Sequence, residues 1–572
     1  GGDFYAIWNE EKGLWSTDES DVIEIVDKAL ALEREKAEEK YPDKNIHVAW
    51  MWDNESQSID KWHKYCKQQM RDNYVNLDNT LIFSNMECNR DAYASKKLSY
   101  TLEKGDYPAW EKIISTLYLP AERAKIEWCI GAIVTGESKK LQKFAVFYGE
   151  SGAGKSTIIN IIEKMFDGYV ATFDSKALGS SSASFALESF KNNPLVAIQH
   201  DGDLSRIEDN TRLNSLVSHE KMTVNEKNKA IYENAFNCFL IMGTNKPVKI
   251  TDAKSGLIRR LIDISPSGNK IPFSEYVKLV EQVKFELGAI AWHCREVYLS
   301  NPEKYDNYIP TNMLSSSNDF YNFVEDNFRV FDEQDATTLK AAWTMYKEYC
   351  EEAKVPYPYT YRVFKEELKN YFKEFYDTYN DGERTLNKYY KTFIKSKFIS
   401  STAEDTKQII QSGDDWLNFD CAESIFDTEM KDCFAQYAST GESQSPMKKW
   451  SKVTTELCSL NTSRLHYVKV PINHIVIDFD IPDENGNKCF EKNKEAASKW
   501  PKTYAELSKS GGGIHLHYIY QGDPTKLKRN YDDYIEIKVF SGDSSLRRKL
   551  SKCNAEQIAT ISSGLPLKED KK

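Results

Sequence analysis

The chain is predicted to be a multidomain protein of mixed α/β and α+β class, for three reasons. Its 572 residues exceed what one hydrophobic core sustains, and roughly 150 residues per domain gives three or four domains. At 144–162 a short apolar run, FAVFY, passes through a glycine-rich stretch into the apolar TIINII, which is the strand, turn and helix of an α/β unit. Later in the chain, 473–480, 510–520 and 534–540 set acids, histidines and a lysine into apolar runs, as strands with one polar face do.

Hydrophobic residues make up 40% and charged residues 28%, a globular composition that excludes a disordered chain. No run of about 20 apolar residues exists to span a bilayer. The opening Gly1-Gly2-Asp3 has no signal-like apolar core, so the expectation is a cytoplasmic protein without a membrane partner, or a fragment of a longer one. Eleven cysteines occur singly, without a C-x-x-C pair. The nearest approach to a cluster, Cys421 with Cys433 and Cys458, reads as buried free thiols in preference to a zinc site. A net charge of −11 leaves nucleic-acid binding to local basic faces.

In chain order, 1–105 mixes short helical stretches with Trp-rich and Tyr-rich segments and reads as scaffold. Residues 106–130 carry Ile113, Ile114, Leu117 and Ile126 at helical spacing. The stretch Gly149-Glu150-Ser151-Gly152-Ala153-Gly154-Lys155-Ser156-Thr157 follows a strand pattern and opens a helix pattern, the context a phosphate-binding loop requires. Its backbone N–H groups cradle phosphates, Lys155 reaches the outer phosphates and the Ser156 hydroxyl ligates Mg²⁺, so ATP with Mg²⁺ is the expected ligand. A chance glycine-rich turn is the alternative, and the flanking pattern argues against it.

The run 195–198 ends at Gln199-His200-Asp201-Gly202-Asp203, a second strand delivering carboxylates. One acid would hold the Mg²⁺ shell and the other orient water, with Asp201 and Asp203 as candidates; an acidic loop is the competing reading. A third run, 236–242, leads to Asn245, an amide suited to sensing the γ-phosphate. Arg259 and Arg260 then offer either fingers for a neighbouring subunit's nucleotide or surface ion pairs.

This succession, within about 115 residues, resembles the superfamily 3 helicases of viruses and phages. The resemblance implies an AAA+ ATPase, a homo-hexameric ring and translocation on DNA. It also implies that 218–229 carries a DNA-contacting hairpin, with Lys221, Lys227 and Lys229 on phosphates. Two departures stand out: Gly202 separates carboxylates that are often adjacent in the family, and Asn214 stands where a lysine is expected. Residues 106–130 resemble the helical region preceding the ATPase. Two amphipathic stretches and a turn at Asn380-Asp381-Gly382 resemble the winged helix that commonly follows it. The aromatics there are either core or a nucleic-acid grip. The expected divisions are 1–105, 106–290, 291–400 and 401–572, with a polar linker at 399–416.

In the last division, alternation puts Asp478 and Asp480 on one side of a strand, where their repulsion calls for a divalent cation between them. His515 and His517 follow a glycine turn at spacing two, and Glu536 and Lys538 share a face of a third strand. Singly, each pair reads as a solvated strand face. Their order resembles the archaeo-eukaryotic primase superfamily, including phage primase-polymerases with an RRM-like fold. Asp478 and Asp480 match its Asp-x-Asp motif, His515 its small-x-His motif and Glu536 its third acid, where Asp is common. The resemblance implies that the three acids hold Mg²⁺ or Mn²⁺ and that His515, with Lys538 beside it, binds the phosphates of nucleoside triphosphates. Between Lys526 and Lys552 eight Lys or Arg face four Asp or Glu. Arg547, Arg548 and Lys549 there are candidate nucleic-acid contacts or a solvated basic edge.

Together these readings lead to the expectation of an ATP-driven helicase joined to a metal-dependent primase-polymerase, acting on single-stranded template and a duplex fork. The alternative is a nucleic-acid-binding AAA+ remodeller or replication initiator whose primase-like part only binds nucleotide.

Overall fold

The computed structural model describes residues 6–48, 61 and 76–568, apart from short internal stretches of which the longest are 226–230, 249–255, 381–384 and 399–415. The linker expected at 399–416 and the turn at 381–382 lie almost wholly outside the described residues. Among the described residues no helix is long and apolar enough to cross a membrane.

The N-terminal part holds a hairpin, β1 (Ile7–Asn9) with β2 (Leu14–Ser16), and the helix Glu19–Lys40, whose first turn is capped by Asp18 accepting from the Ser20 N–H. Leu81, Phe83, Leu98 and Tyr100 sink into the central core, so the end of the stretch read as scaffold is part of that core.

The centre is a five-stranded, all-parallel sheet in the order β4 (Val170–Thr172), β5 (Val196–Gln199), β8 (Phe239–Thr244), β3 (Phe144–Tyr148), β9 (Leu261–Ile264). The inner strands β3 and β8, and β5 through Ile198, are mainly apolar and buried because both faces are covered. Ala145 and Phe147 of β3, with Phe239 and Ile241 of β8, pack beneath the helices Pro108–Leu117, Pro120–Val134, Lys155–Met165 and Leu287–Ser300. The alternate residues Phe144, Val146, Leu240 and Met242 pack on the other face, against Leu213, Met313 and the aromatic cluster beyond. The helix Leu287–Ser300 runs through position 290, so the division expected there falls inside an element.

Next to this face β10 (Ala336–Thr338), β12 (Thr385–Phe393) and β11 (Phe372–Asn380) form an antiparallel sheet beside the helices Leu339–Glu352 and Tyr361–Leu368. Helices followed by a long hairpin are thus present. The aromatics Phe320, Phe323, Tyr346, Phe364, Tyr371 and Tyr390 are buried, which makes them core rather than a stacking platform.

The C-terminal part contains two further sheets. A mainly antiparallel one runs β16 (Ala505–Leu507), β17 (Ile514–Tyr520), β15 (His474–Phe479), β19 (Ile535–Val539), β18 (Asn530–Asp532), with β21 (Ala559–Ile561) parallel to β17. A smaller one runs β13 (Ala435–Tyr437), β14 (His466–Val468), β20 (Leu546–Arg548). Ile475, Ile477, Phe479, Leu516 and Ile537 build the core on one face of the large sheet, and Phe285 and Trp500 join it with rings stacked 4.7 Å apart. The C-terminal part meets the helical region directly: Asp106 N–H donates to Thr560 Oγ1, Thr560 N–H donates back to the Asp106 carboxylate, and Ser562 N–H donates to the Phe285 carbonyl.

Candidate functional site

Two separate groups of polar residues converge. The first lies at the C-terminal ends of β3, β5 and β8, where parallel α/β sheets leave a crevice. Residues 149–154 pass from β3 into the helix Lys155–Met165, and Gly154 takes φ +97°, a left-handed conformation that a side chain would strain. A Cβ there would also strike Leu117 at 2.9 Å. Lys155, buried at the first helical position, donates to the carbonyls of Gly149 and Glu150 and to Asn245 Oδ1, each at 2.7 Å. Ala153 N–H turns back to the Glu150 carbonyl.

Ser151, Gly152, Gly154, Lys155, Ser156, Thr157, Asp201 and Asn245 line one cleft of about 480 Å³, together with Asn269, Lys270 and Tyr276. Burial pulls the Lys155 ammonium below its ordinary range, and the carboxylate of Asp201 works the other way. The two acids of the second strand part company here. Asp201 lines the cleft, whereas Asp203 turns aside, accepting from Ser205 Oγ and N–H and pairing with Lys246 at 2.9 Å. Those Ser205 hydrogen bonds, and then Lys246, hold the Asp203 carboxyl well below the usual carboxylate range.

Arg259 is exposed, but Arg260 is buried, its guanidinium donating to Ser218 Oγ and the Gly256 carbonyl. In this arrangement Arg260 ties down a turn and does not reach outward. Lys221 is exposed at the foot of a hairpin, β6 (Met222–Val224) with β7 (Tyr232–Asn234); Lys227 and Lys229 lie outside the described residues.

The second group is a transverse row across the large C-terminal sheet. Antiparallel register sets Glu506 of β16 opposite His515 of β17, His515 opposite Asp478 of β15, and Asp478 opposite Glu536 of β19. His515 Nε2 lies 3.1 Å from Asp478 Oδ1, and Lys538 Nζ contacts Asp478 Oδ2. Burial opposes the imidazolium, yet the flanking carboxylates of Asp478 and Glu506 outweigh it, and the His515 pKa is pushed up to about 9. Asp478 shows the converse: burial raises its pKa, but His515 and Lys538 prevail and hold it well below the usual range.

Asp480 does not share this row. β15 ends at Phe479, so Asp480 is carried over the strand end, where its N–H donates to the Tyr534 carbonyl and its carboxylate meets Lys488. Gly513 makes room for it, since a Cβ there would lie 2.7 Å from Asp480 Oδ1. Glu536 pairs with Arg529 at 3.1 Å. Each of the three acids therefore faces its own cation, and among the described residues no three His, Cys, Asp or Glu side chains converge as metal ligands.

A family of unknown function (DUF5906) matches residues 147–260. No curated protein matches. Solved structures that match include the A form apo structure of the NrS-1 C-terminal region, 13% identical, covering 52% of this chain and 80% of that chain with a TM-score of 0.35. The apo structure of NrS-1 residues 305–718 is 14% identical over 51% and 78% of the two chains, with a TM-score of 0.34.

The family match takes in the loop, the Asp201 strand end, the hairpin and the arginine pair. The basic pair near the C-terminal end divides sharply. Arg547 is exposed and donates to Gln444 Oε1, whereas Arg548 is buried at 2% exposure, so it is withdrawn from any nucleic acid. Its Nε donates to Glu506 at 2.7 Å, its Nη1 to Asp427 and its Nη2 to Ser424 Oγ at 2.9 Å. Glu506 is the residue that reading the sequence missed. The alternation of Tyr504, Glu506 and Ser508 was the available signal, but a single acid in so short a strand carries no motif. His517, expected beside His515, lies 3.5 Å from the same Glu506 and 3.0 Å from His474 Nε2.

Proposed function

We propose that this chain is a replication protein with two active sites: an ATP-driven superfamily 3 motor of AAA+ type built on the parallel sheet, and a primase-polymerase built on the C-terminal sheet. The observation that carries the reading is the cross-strand row of His515, Asp478 and Glu536, which brings residues from three separate strands to one level of one sheet. At the motor, the loop 149–154 with Lys155, Ser156 and Thr157 would hold ATP and Mg²⁺. Asp201 would complete the Mg²⁺ shell, with Asn245 beside the γ-phosphate. Arg259, exposed where Arg260 is not, is the better candidate for a finger reaching a neighbour in a homo-hexameric ring. Lys221 and its hairpin would touch DNA.

At the second site the donor set suits Mg²⁺ or Mn²⁺. The ligands are hard carboxylate oxygens, each now held against a cation: Asp478 by His515 and Lys538, Asp480 by Lys488 and Glu536 by Arg529. Asp478, Asp480 and Glu536 would hold such ions, which supply activation of a primer 3′-oxygen and stabilise departing pyrophosphate. His515 and Lys538 supply fixed positive charge beside the incoming nucleoside triphosphate. The protein would work in the cytoplasm, on single-stranded template and a duplex fork.

One observation favours the alternative, a remodeller or initiator whose second site only binds nucleotide: Lys538, Lys488 and Arg529 already neutralise the three acids. The deciding experiment incubates the chain with primed single-stranded DNA, labelled nucleotides and Mn²⁺. Template-dependent extension supports the polymerase. Triphosphate binding without extension sinks it in favour of the alternative.

A further inference from the structure

Behind His515 lies a buried polar group that no step above uses. Glu506, 2% exposed, faces His515 Nδ1 at 3.9 Å and His517 Nε2 at 3.5 Å, and accepts from the Tyr504 hydroxyl at 3.1 Å. Its far side is held by Arg548, which arrives from the other sheet on β20 and lies over the Phe426 ring, 4.5 Å from its centroid. Asp427 and Ser424 bind the remaining guanidinium nitrogens. A carboxylate and a guanidinium buried this deeply are costly unless each satisfies the other. The pair is satisfied, and it links the two C-terminal sheets.

His515 is thus flanked by two carboxylates, with Asp478 at Nε2 and Glu506 toward Nδ1. The geometry points to Glu506 as a positioning residue: anchored by Arg548, it sets the orientation of the His515 ring and thereby the site's grip on the triphosphate. At 3.9 Å the hold on His515 is electrostatic, not a hydrogen bond, so it depends on the charge of Glu506 and on the rigidity Arg548 gives it. Outer partners that orient a metal-ligating imidazole typically change affinity or activity about 10–100-fold when lost, and the same scale is taken for an imidazole oriented toward a triphosphate. This inference rests on the second site binding nucleoside triphosphate.

The test uses the full chain, primed single-stranded DNA and Mn²⁺, and reads KM and kcat for nucleotide incorporation, with equilibrium binding of the same Mn²⁺-triphosphate alongside. Glu506→Gln is expected to raise KM and the dissociation constant about tenfold, with a smaller change in kcat. His515→Ala should do the same, and the double variant should be no worse than His515→Ala alone, because one residue acts through the other. Multiplying effects in the double variant, or an unchanged KM in Glu506→Gln, overturn the inference. Should Glu506→Gln melt below the assay temperature, the charge-free pair Glu506→Gln with Arg548→Met replaces it. A folded pair variant with wild-type KM overturns the inference, and a raised KM sustains it. Wild-type protein that binds triphosphate without incorporating it sinks the polymerase reading and leaves the binding constants to decide this one. Wild-type protein that does neither overturns both.

Discussion

Asp478 and His515 stand directly opposite one another on neighbouring antiparallel strands, with Oδ1 and Nε2 3.1 Å apart and the carboxylate 5% exposed. Thirty-seven positions apart in sequence, they are fixed by the ladder between β15 and β17, which also places Glu536 on the other flank of Asp478. The pair concentrates opposite charges in a half-enclosed place, where each holds the other ionised.

Replacing Asp478 and Asp480 together with alanine is expected to abolish Mn²⁺-dependent nucleotide incorporation while leaving ATP hydrolysis within about twofold, since the cleft at Lys155 is lined by residues between Leu117 and Tyr276 and by neither aspartate. A primer-extension assay and a phosphate-release assay on the same preparation check it. Loss of both activities contradicts two separable sites.

Lys155→Ala is expected to lower ATP hydrolysis by about 10²-fold or more and to spare incorporation. Asn245→Ala, removing the side-chain acceptor that holds Lys155 Nζ at 2.7 Å, should fall in the same direction by less. Steady-state hydrolysis rates for the two variants rank them.

Arg548→Ala should destabilise the chain by about 3–5 kcal/mol, because it strands Glu506 as a buried, uncompensated charge. Arg547→Ala, one residue away and exposed, should change stability by less than about 0.5 kcal/mol. Denaturant midpoints of both variants test the inside–outside assignment; equal losses contradict it.

The pH dependence of stability follows from His515. Its folded pKa of about 9 exceeds the ordinary 6.5, so the stability it contributes is fully present below about pH 6.5 and is lost as the pH rises through 9. The loss amounts to at most about 3 kcal/mol. His515→Gln should flatten this part of the profile, as measured by denaturant unfolding from pH 6 to 10. An unchanged slope means the imidazolium is not held by its two carboxylates.

Lys221→Ala should weaken DNA binding and reduce the slope of log K against log salt by about one if its ammonium meets a phosphate. Affinity titrations at several salt concentrations read the slope directly, and an unaltered slope removes Lys221 from the contact.

Much of the architecture near both sites was legible in the order of residues. A run of consecutive apolar residues buried on both faces, as in Phe144–Phe147 of β3 and Phe239–Met242 of β8, writes its burial into consecutive letters. The glycines before Lys155 write the turn, and the pairs Asp478 with Asp480 and Glu536 with Lys538 mark strands with one polar face. These signals are local, repeating every two residues or within a single turn, so a linear reading can find them.

Tertiary structure alone decided where the charges point. Asp201 and Asp203 look equivalent in sequence, but Lys246 and Ser205 draw only Asp203 aside. Asp480 lies two positions beyond Asp478, past the end of β15, and meets Lys488 instead of the row. Arg547 and Arg548 differ by one step along β20, and that step turns one to solvent and the other inward to Glu506, since neighbouring residues of a strand face opposite sides. Which of them goes inward depends on the register with β14 and on the carboxylates waiting in the interior, contributed by segments 42 and 121 residues away. A local pattern announces that a residue alternates; only packing between distant segments sets what it meets.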